Sequence, residues 1–122
     1  MKIFIQIASY RDPQLIPTIK DAISKAKNPE NLIFSIARQF HPDDKFDDIS
    51  EYENDDRFRI LNIPYEDSKG VCWARNLTQQ LYDGEEYTLQ IDSHMRFQQD
   101  WDEMSINMIK QLQEKGYNKP LL

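Results

Sequence analysis

Hydrophobic and polar positions follow two different periods along this chain. Four short apolar runs, at residues 2–8, 32–39, 58–64 and 87–91, predict β-strands, because such runs are typical of strands that are covered on both faces. Apolar residues at three- and four-residue spacing predict helices after the first, third and fourth runs. The order β-α-β-β-α-β-α predicts an α/β fold with a layered, mostly parallel sheet and helices on both faces.

Residues at the ends of the helical patterns set the expected bounds of the helices. Asp12 followed by Pro13 predicts a capped start for the first helix. Pro17 has no amide for a regular second turn, so either the first turn is irregular or the regular helix begins at Pro17. The second and third helices are expected within residues 70–84 and 100–116, where glycines close both patterns.

Composition and charge exclude several kinds of protein. The formal net charge of −6 argues against unspecific nucleic-acid binding, which needs Lys and Arg to neutralise phosphates. The single cysteine excludes an intramolecular disulfide and favours a reducing compartment. No apolar run is long enough to span a bilayer, and the start is too short and too polar for a signal peptide. We therefore expect a cytoplasmic protein with no membrane span.

Two further segments bear on the domain organisation and on metal binding. Residues 118–122 have the pattern of the start of a strand, so we expect the sequence to be the N-terminal part of a longer domain. Residues 41–56 contain eight acidic side chains, which is typical of a solvated loop. A calcium loop is the alternative, although the glycine that an EF-hand needs at its turn is absent.

Candidate chemistry lies where polarity returns after the first and fourth strands. The fourth strand runs directly into Asp92-Ser93-His94, and the first into residues 8–12. In open α/β sheets, ligands bind in the crevice beyond the carboxyl ends of the strands. A carboxylate and an imidazole two residues apart can both bind one metal ion there. From these residues alone, a surface turn after a buried strand is the alternative.

Three blocks of sequence resemble one family. Residues 5–12 (IQIASYRD), 69–75 (KGVCWAR) and 90–97 (QIDSHMRF) are similar to the N-acetylglucosaminyltransferases that modify hydroxyproline on the ubiquitin-ligase adaptor Skp1, and to their bacterial relatives. The Asp-x-His motif is also similar to that of polypeptide N-acetylgalactosaminyltransferases. The resemblance covers the whole chain and implies the nucleotide-sugar half of a GT-A fold, which is Rossmann-like.

The resemblance also implies roles for individual residues. Asp92 and His94 would hold a divalent metal, Mn²⁺ or alternatively Mg²⁺, on the diphosphate of a UDP-sugar, where a metal acts as a Lewis acid. Mixed oxygen and nitrogen ligands suit Mn²⁺ better than Ca²⁺. The nucleotide-sugar site would comprise Asp92 together with Ala8, Ser9, Tyr10, Arg11, Gln39, Gly70 and Arg75.

Within that site each polar residue has an expected task and an alternative. Tyr10 would stack on the base, and Arg11 would contact a phosphate or the base. Gln39 would replace the acidic residue that many GT-A enzymes use to recognise uracil. Arg75 offers planar, bidentate contacts to the nucleotide. Edge packing for Tyr10 and a salt bridge to a carboxylate for Arg75 are the alternatives.

The expected function is a metal-dependent glycosyltransferase domain that moves a sugar such as N-acetylglucosamine from a UDP-sugar to a hydroxyl group on a protein or glycan. The resemblance implies that a third metal ligand and the acceptor site lie beyond Leu122. Two alternatives stay open at this point. One is a non-catalytic nucleotide-sugar-binding module. The other is an unrelated metal-binding α/β domain of the receiver type, although the acidic pair expected after a first strand is absent.

Overall fold

The computed structural model describes residues 2–114, with the side chains of residues 2–111. It confirms the predicted order of elements. The strands are β1 (Ile3–Tyr10), β2 (Leu32–Phe40), β3 (Phe58–Pro64) and β4 (Tyr87–Asp92), and the helices are α1 (Leu15–Lys25), α2 (Val71–Gln79) and α3 (Trp101–Glu114). Single 3₁₀ turns lie at Pro29–Asn31, Ser50–Tyr52 and Tyr65–Asp67. The expected helix end at 115–116 and the expected strand at 118–122 lie outside the described residues.

The four strands form one sheet in the order β3-β2-β1-β4, and all three strand pairs are parallel. The chain therefore extends the sheet in one direction from β1 to β3 and then returns to the other side of β1. This reversal between β1 and β4 is a topological switch point, where α/β sheets bind ligands. In the register of these two strands, Ala8 pairs with Asp92. The predicted proximity of the ends of β1 and β4 is confirmed.

Alternation along β1 divides the core into two faces. Ile3, Ile5 and Ile7 point to one face and join a buried cluster that includes Ile19 of α1. Trp101 of α3 belongs to the same cluster, and its indole Nε1 donates to the carbonyl of Ala22 at 2.8 Å.

The alternate positions of the sheet face α2. The Thr78 hydroxyl of α2 lies 3.2 Å from the Gln6 Oε1 of β1, and the Ser35 hydroxyl of β2 donates to the Thr78 carbonyl at 2.8 Å. The Phe4 ring meets the Tyr82 ring edge-on at 5.5 Å. Helices therefore cover both faces of the sheet, as the pattern predicts.

The start of α1 differs from the expectation. The helix begins at Leu15 with Gln14 at the cap position, so the prediction that Asp12 caps it with Pro13 first is wrong by two residues. Residues 13–14 form a turn, with a hydrogen bond from the Leu15 amide to the Asp12 carbonyl at 3.2 Å, and the regular helix begins at Leu15. The expectation of an irregular first turn is therefore confirmed, and that of a regular start at Pro17 is wrong. Pro17 is the third residue of a regular helix, where an amide would have no partner within the helix in any case. Asp12 instead accepts a hydrogen bond from the Gln14 amide at 2.8 Å.

Candidate functional site

A cavity of about 260 Å³ opens at the carboxyl edge of the sheet. Its lining combines the ends of β1 and β2 with the segment that enters α2: Ala8, Tyr10, Gln39, Ser68, Gly70 and Val71. Four of these six residues are among the predicted site residues, and the sequence reasoning missed Ser68 and Val71. Gly70 has a φ of +97°, in the left-handed region that favours glycine, and its carbonyl accepts the first helical bond, from the Ala74 amide at 3.1 Å.

Gln39 connects two walls of this cavity. Its side chain is 97% buried, since only 3% of the residue is exposed. The amide Nε2 donates to the Ser9 carbonyl at 2.9 Å, and the Ser68 hydroxyl donates to Oε1. Gln39 therefore holds the end of β1 against the segment before α2 and uses one of the two N–H donors of its amide to do so.

Ser9 does not line the cavity, although the resemblance implies that it does. It is fully buried, and strand alternation turns its side chain to the face opposite Ala8 and Tyr10. Within the described residues its hydroxyl has no hydrogen-bond partner. Its contribution to the cavity is the backbone carbonyl that accepts from Gln39.

Arg11 points toward the acidic loop. It has a φ of +47°, and its guanidinium makes a bidentate contact with Asp44, at 2.7 Å from Nε and 3.2 Å from Nη2. The guanidinium also lies over the Tyr65 ring, 5.5 Å from its centroid. The hydrogen bond to Asp44 raises the pKa of Arg11, and the same bond lowers the pKa of Asp44. An anionic ligand would have to compete with Asp44 for this side chain.

Asp92 is the last residue of β4, and 56% of its side chain is exposed. Among the described residues its ion-pair partner is Arg75 of α2, whose Nη2 lies 3.5 Å from Asp92 Oδ1. That distance is long for a charge-assisted hydrogen bond. Arg75 also lines a cleft of about 470 Å³ between α2 and the outer face of β1 and β4. The structure thus brings Arg75 to the predicted metal-binding carboxylate, as the salt-bridge alternative allows.

His94 lies just beyond Asp92 and faces Asp12. Its Nδ1 is 3.3 Å from Asp12 Oδ2, and the Ser93 hydroxyl donates to the same oxygen at 2.6 Å. The other ring nitrogen, Nε2, has no hydrogen-bond partner among the described residues, and 65% of the side chain is exposed. Burial raises the pKa of Asp12, but the hydrogen bonds from Ser93 and the Gln14 amide outweigh it, so this pKa lies below its ordinary value.

Helix α1 holds the backbone on both sides of His94. The buried Thr18 hydroxyl donates to the Ser93 carbonyl at 3.0 Å and accepts from the Met95 amide at 2.9 Å. Further along, Asp21 accepts from the Phe97 amide at 2.6 Å. Sequence reasoning missed these contacts, and their only signal was a row of polar residues at helical spacing on α1.

A family model for Glycosyltransferase (GlcNAc) matches residues 2–53 and 43–121. The chain belongs to this glycosyltransferase family. The result favours the transferase over the receiver-type alternative. The sequence matches no curated protein.

Solved structures of S. aureus TarS have the same fold as this glycosyltransferase chain. The TM-scores are 0.71 for TarS 1-349, 0.68 for TarS 1-349 in complex with UDP-GlcNAc and 0.69 for TarS. Each is 16% identical in sequence over 93% of this chain, which spans only 33%, 32% and 20% of the respective TarS chains. The predicted GT-A-like α/β fold is therefore confirmed.

The two predicted metal ligands keep donor atoms that could bind a metal ion. Asp92 offers exposed carboxylate oxygens and His94 an unpartnered Nε2, a mixed set that suits Mn²⁺. Among the described side chains of residues 2–111, no three His, Cys, Asp or Glu residues converge as a metal-binding group. Asp92 and His94 would thus supply two ligands of a larger shell. The same result gives the calcium alternative for the acidic loop no support.

The acidic loop has structural partners instead. Asp47 is buried and accepts from Arg38, at 3.3 Å from Nη2, while Asp48 accepts from the Ser50 amide at 3.0 Å. Asp44 is the partner of Arg11. In the described part of the chain, no helix is both long enough and apolar enough to cross a membrane.

Proposed function

We propose that this domain binds UDP-N-acetylglucosamine at the carboxyl edge of its sheet and transfers N-acetylglucosamine to a hydroxyl group. One observation carries the proposal. The parallel register of β1 and β4 sets Asp92 level with Ala8, so the 260 Å³ cavity and the Asp-x-His turn share one edge. The family assignment supports N-acetylglucosamine as the sugar, and the complex of TarS 1-349 with UDP-GlcNAc supports UDP as its carrier.

The cavity suits a nucleoside. Ala8 and Gly70 leave room because their side chains are small or absent, and Tyr10 presents a half-exposed ring on which a base can stack. Gln39 would offer its remaining amide N–H to a carbonyl oxygen of uracil, while Ser9 and Ser68 keep the amide group in place.

The diphosphate would lie between Arg75 and the turn at Asp92. Arg75 is the better candidate than Arg11 for a phosphate contact, because its pairing with Asp92 is long and that of Arg11 with Asp44 is short and bidentate. A guanidinium can donate two parallel hydrogen bonds to phosphate oxygens. Arg75 would therefore orient the diphosphate and balance part of its charge.

Asp92 and His94 would hold a divalent metal ion, Mn²⁺ or alternatively Mg²⁺. When bound, such an ion stabilises the negative charge that grows on a diphosphate leaving group. The contribution of the chain itself is orientation: α1 anchors the backbone around His94 through Thr18, and Asp12 contacts the imidazole.

Calorimetric titration of the chain with UDP-GlcNAc, with and without Mn²⁺, tests the proposal. We expect binding that depends on Mn²⁺ and that prefers UDP-GlcNAc to GDP-mannose. Asp92→Asn should weaken Mn²⁺-dependent binding by about tenfold or more, since even the hydrogen-bond partners of metal ligands typically contribute about 10–100-fold. If the wild type and Asp92→Asn each bind UDP-GlcNAc with the same affinity in the presence and absence of Mn²⁺, the proposed role of the metal is wrong.

Glu86→Gln is the matched control for Asp92→Asn. Glu86 is also exposed, and it lies just before β4, at the opposite end of the same strand. Both variants remove one negative charge, so a general charge effect would weaken binding equally. Only a local role for Asp92 predicts a difference between them.

The acceptor, the cytoplasmic location and the closer likeness to Skp1-modifying enzymes stay predictions. A transfer assay with radiolabelled UDP-GlcNAc, Mn²⁺ and hydroxyl acceptors tests the reaction itself. We expect label on an acceptor hydroxyl in a protein that includes the acceptor-binding part. Binding of UDP-GlcNAc without transfer in that protein would favour the non-catalytic module.

A further inference from the structure

Asp12 links the start of α1 to the Asp-x-His turn across more than eighty residues of sequence. We infer that Asp12 is a positioning residue, which fixes the imidazole of His94 with its proton on Nδ1 and leaves Nε2 free as the metal ligand. The inference rests on the proposed metal role of His94 and adds a residue to which the family resemblance gave no role in the site.

The contacts of Asp12 make it an acceptor for His94. Its Oδ1 accepts from the Gln14 amide at 2.8 Å, and its Oδ2 accepts from the Ser93 hydroxyl at 2.6 Å. The His94 Nδ1 lies 3.3 Å from the same Oδ2. An ionised carboxylate has no hydrogen to donate, so the only hydrogen bond available between these groups is Nδ1–H to Oδ2. With the side chain of Asp12 only 18% exposed, water competes little for this oxygen.

The tautomer decides which nitrogen can bind a metal. A neutral imidazole has one protonated nitrogen and one with a free lone pair. If Asp12 keeps the proton on Nδ1, the lone pair is on Nε2, which has no partner among the described residues and belongs to a side chain that is 65% exposed. Histidines that bind metals usually donate their other N–H to a carboxylate, carbonyl or water in this way.

Thr18 supports the same arrangement through the backbone. It accepts from the Met95 amide and donates to the Ser93 carbonyl, so the residues before and after His94 are both tied to α1. Asp12 then has only the rotation of the imidazole left to fix. The start of α1 therefore sets both the position and the orientation of the proposed ligand.

The only other histidine of the chain is an internal reference. His41 accepts a hydrogen bond at Nδ1 from the Asp43 amide at 3.0 Å, which requires an unprotonated Nδ1 and places the proton on Nε2. The two histidines should therefore hold opposite tautomers in one protein. A measurement that resolves both signals tests the inference without any metal.

Nitrogen-detected NMR of the ¹⁵N-histidine-labelled chain is the first experiment, at about pH 8 where an ordinary histidine is neutral. We expect His94 as the Nδ1–H tautomer and His41 as the Nε2–H tautomer, with His41→Gln to assign the signals. In Asp12→Ala, His94 should lose the Nδ1–H tautomer while His41 keeps its own. Asp12→Asn should partly retain the wild-type tautomer because its amide oxygen still accepts from Nδ1–H.

Ser93→Ala is the matched structural control, since it removes the other side-chain donor to Asp12 and leaves the imidazole contact in place. Its His94 tautomer should stay wild type. An Nε2–H tautomer in the wild-type protein, or an unchanged tautomer in Asp12→Ala, would overturn the inference. A far-ultraviolet circular dichroism spectrum and an unfolding midpoint like those of the wild type show that each variant is folded.

Electron paramagnetic resonance of Mn²⁺ in the presence of UDP is the second experiment. We expect Asp12→Ala to weaken Mn²⁺ binding by about 10–100-fold, the usual effect of removing the partner of a metal-binding histidine. Asp12→Asn should have a smaller effect. If the wild type binds Mn²⁺ and Asp12→Ala binds it equally well, the inference about Asp12 is wrong but the proposed metal site stands. Absence of Mn²⁺ binding by the wild type would overturn the proposed metal site, and the role of Asp12 with it.

Discussion

The two faces of the sheet are built from alternate residues of the same strands, yet they differ in kind. Under α1 and α3, Ile3, Ile5 and Ile7 of β1 join a fully apolar cluster. Under α2, the neighbouring positions include Gln6, which meets a threonine hydroxyl, and Phe4, which lies beneath the Arg59 guanidinium at 5.7 Å. One face is held mainly by apolar burial, and the other combines buried apolar residues such as Phe4 and Ala74 with hydrogen bonds and charge.

This difference between the faces suggests that the apolar face contributes mainly to the stability of the fold and the α2 face mainly to ligand binding. The α2 face borders the 260 Å³ and 470 Å³ cavities, and another of about 280 Å³ that is lined by Gln6, Gln79, Tyr82 and Thr88. The cavity of about 290 Å³ on the α1 and α3 face is instead lined mostly by apolar side chains, among them Leu89, Ile91 and Trp101. The polar side chains that line the cavities of the α2 face can form hydrogen bonds with a polar ligand. The α2 face is therefore where we expect substitutions to change ligand binding more than folding.

The largest expected effect comes from the apolar face. Ile5→Ala should lower the free energy of unfolding by about 2–5 kcal/mol, because it removes a fully buried side chain and leaves a cavity. Gln6→Ala, one residue along on the other face, should cost less than about 1 kcal/mol, because the Thr78 hydroxyl still donates to the Arg75 carbonyl at 2.7 Å. Urea unfolding followed by circular dichroism measures both. Equal losses would contradict the comparison.

A smaller effect, dependent on pH, is expected from an ion pair on the α2 face. Glu85, whose side chain is 2% exposed, contacts Arg59 Nη1 at 2.5 Å and accepts from the Asp83 amide at 2.9 Å. Burial raises the pKa of Glu85, but the Asp83 amide and Arg59 outweigh it, so the pKa is below its ordinary value. Glu85→Gln should cost about 1.5–3 kcal/mol at neutral pH.

The sign of the pH dependence follows from the lowered pKa. The stability that ionised Glu85 contributes is present above the ordinary glutamate pKa of about 4.3 and is lost as the pH falls through the lower folded value. The unfolding free energies of wild type and Glu85→Gln should therefore converge in acid. A constant difference from neutral pH to pH 3 would contradict the assignment.

The smallest effect on folding is expected at the cavity itself. Tyr10 is 52% exposed, so Tyr10→Ala should change the unfolding free energy by no more than about 0.5 kcal/mol. The affinity of the Tyr10→Ala protein for UDP should fall by about tenfold if the Tyr10 ring stacks on the base. Tyr10→Phe keeps the ring and should bind normally, and Met104→Ala, at an equally exposed position on α3, should change neither quantity. Calorimetry with UDP and Mn²⁺ distinguishes these outcomes.

Much of this fold could be predicted from the chain alone. The period of apolar residues predicted every described strand and helix, and β3 has the predicted bounds of residues 58–64. Errors were confined to ends: β1 and β2 run on to Tyr10 and Phe40, and α1 begins at Leu15. The start of α1 was misplaced because a proline is tolerated anywhere in the first turn of a helix, where the amides have no partner within the helix.

The candidate site was predictable by position but only partly by contact. Strand ends and the edge rule placed residues 8–12 and Asp92 at one edge, because the end of a strand follows from its own sequence. Gln39 and Gly70 were expected there only from the family resemblance, and both line the cavity. The hydrogen-bond partners of the site residues could not be predicted from the sequence of each strand, since Gln39 contacts Ser9 and Ser68 in other segments.

The residues of the sequence by themselves determined which segments form the sheet and where its polar edge lies, because hydrophobic period is a local property. Only the tertiary structure decided that Asp12, expected as a helix cap, contacts His94, and that Thr18 holds the backbone beside it. Those contacts join residues more than seventy positions apart, and they exist because β4 returns to the side of β1 opposite β2. The local hydrophobic pattern does not predict the position of β4 beside β1, because that position depends on the order of all four strands in the sheet.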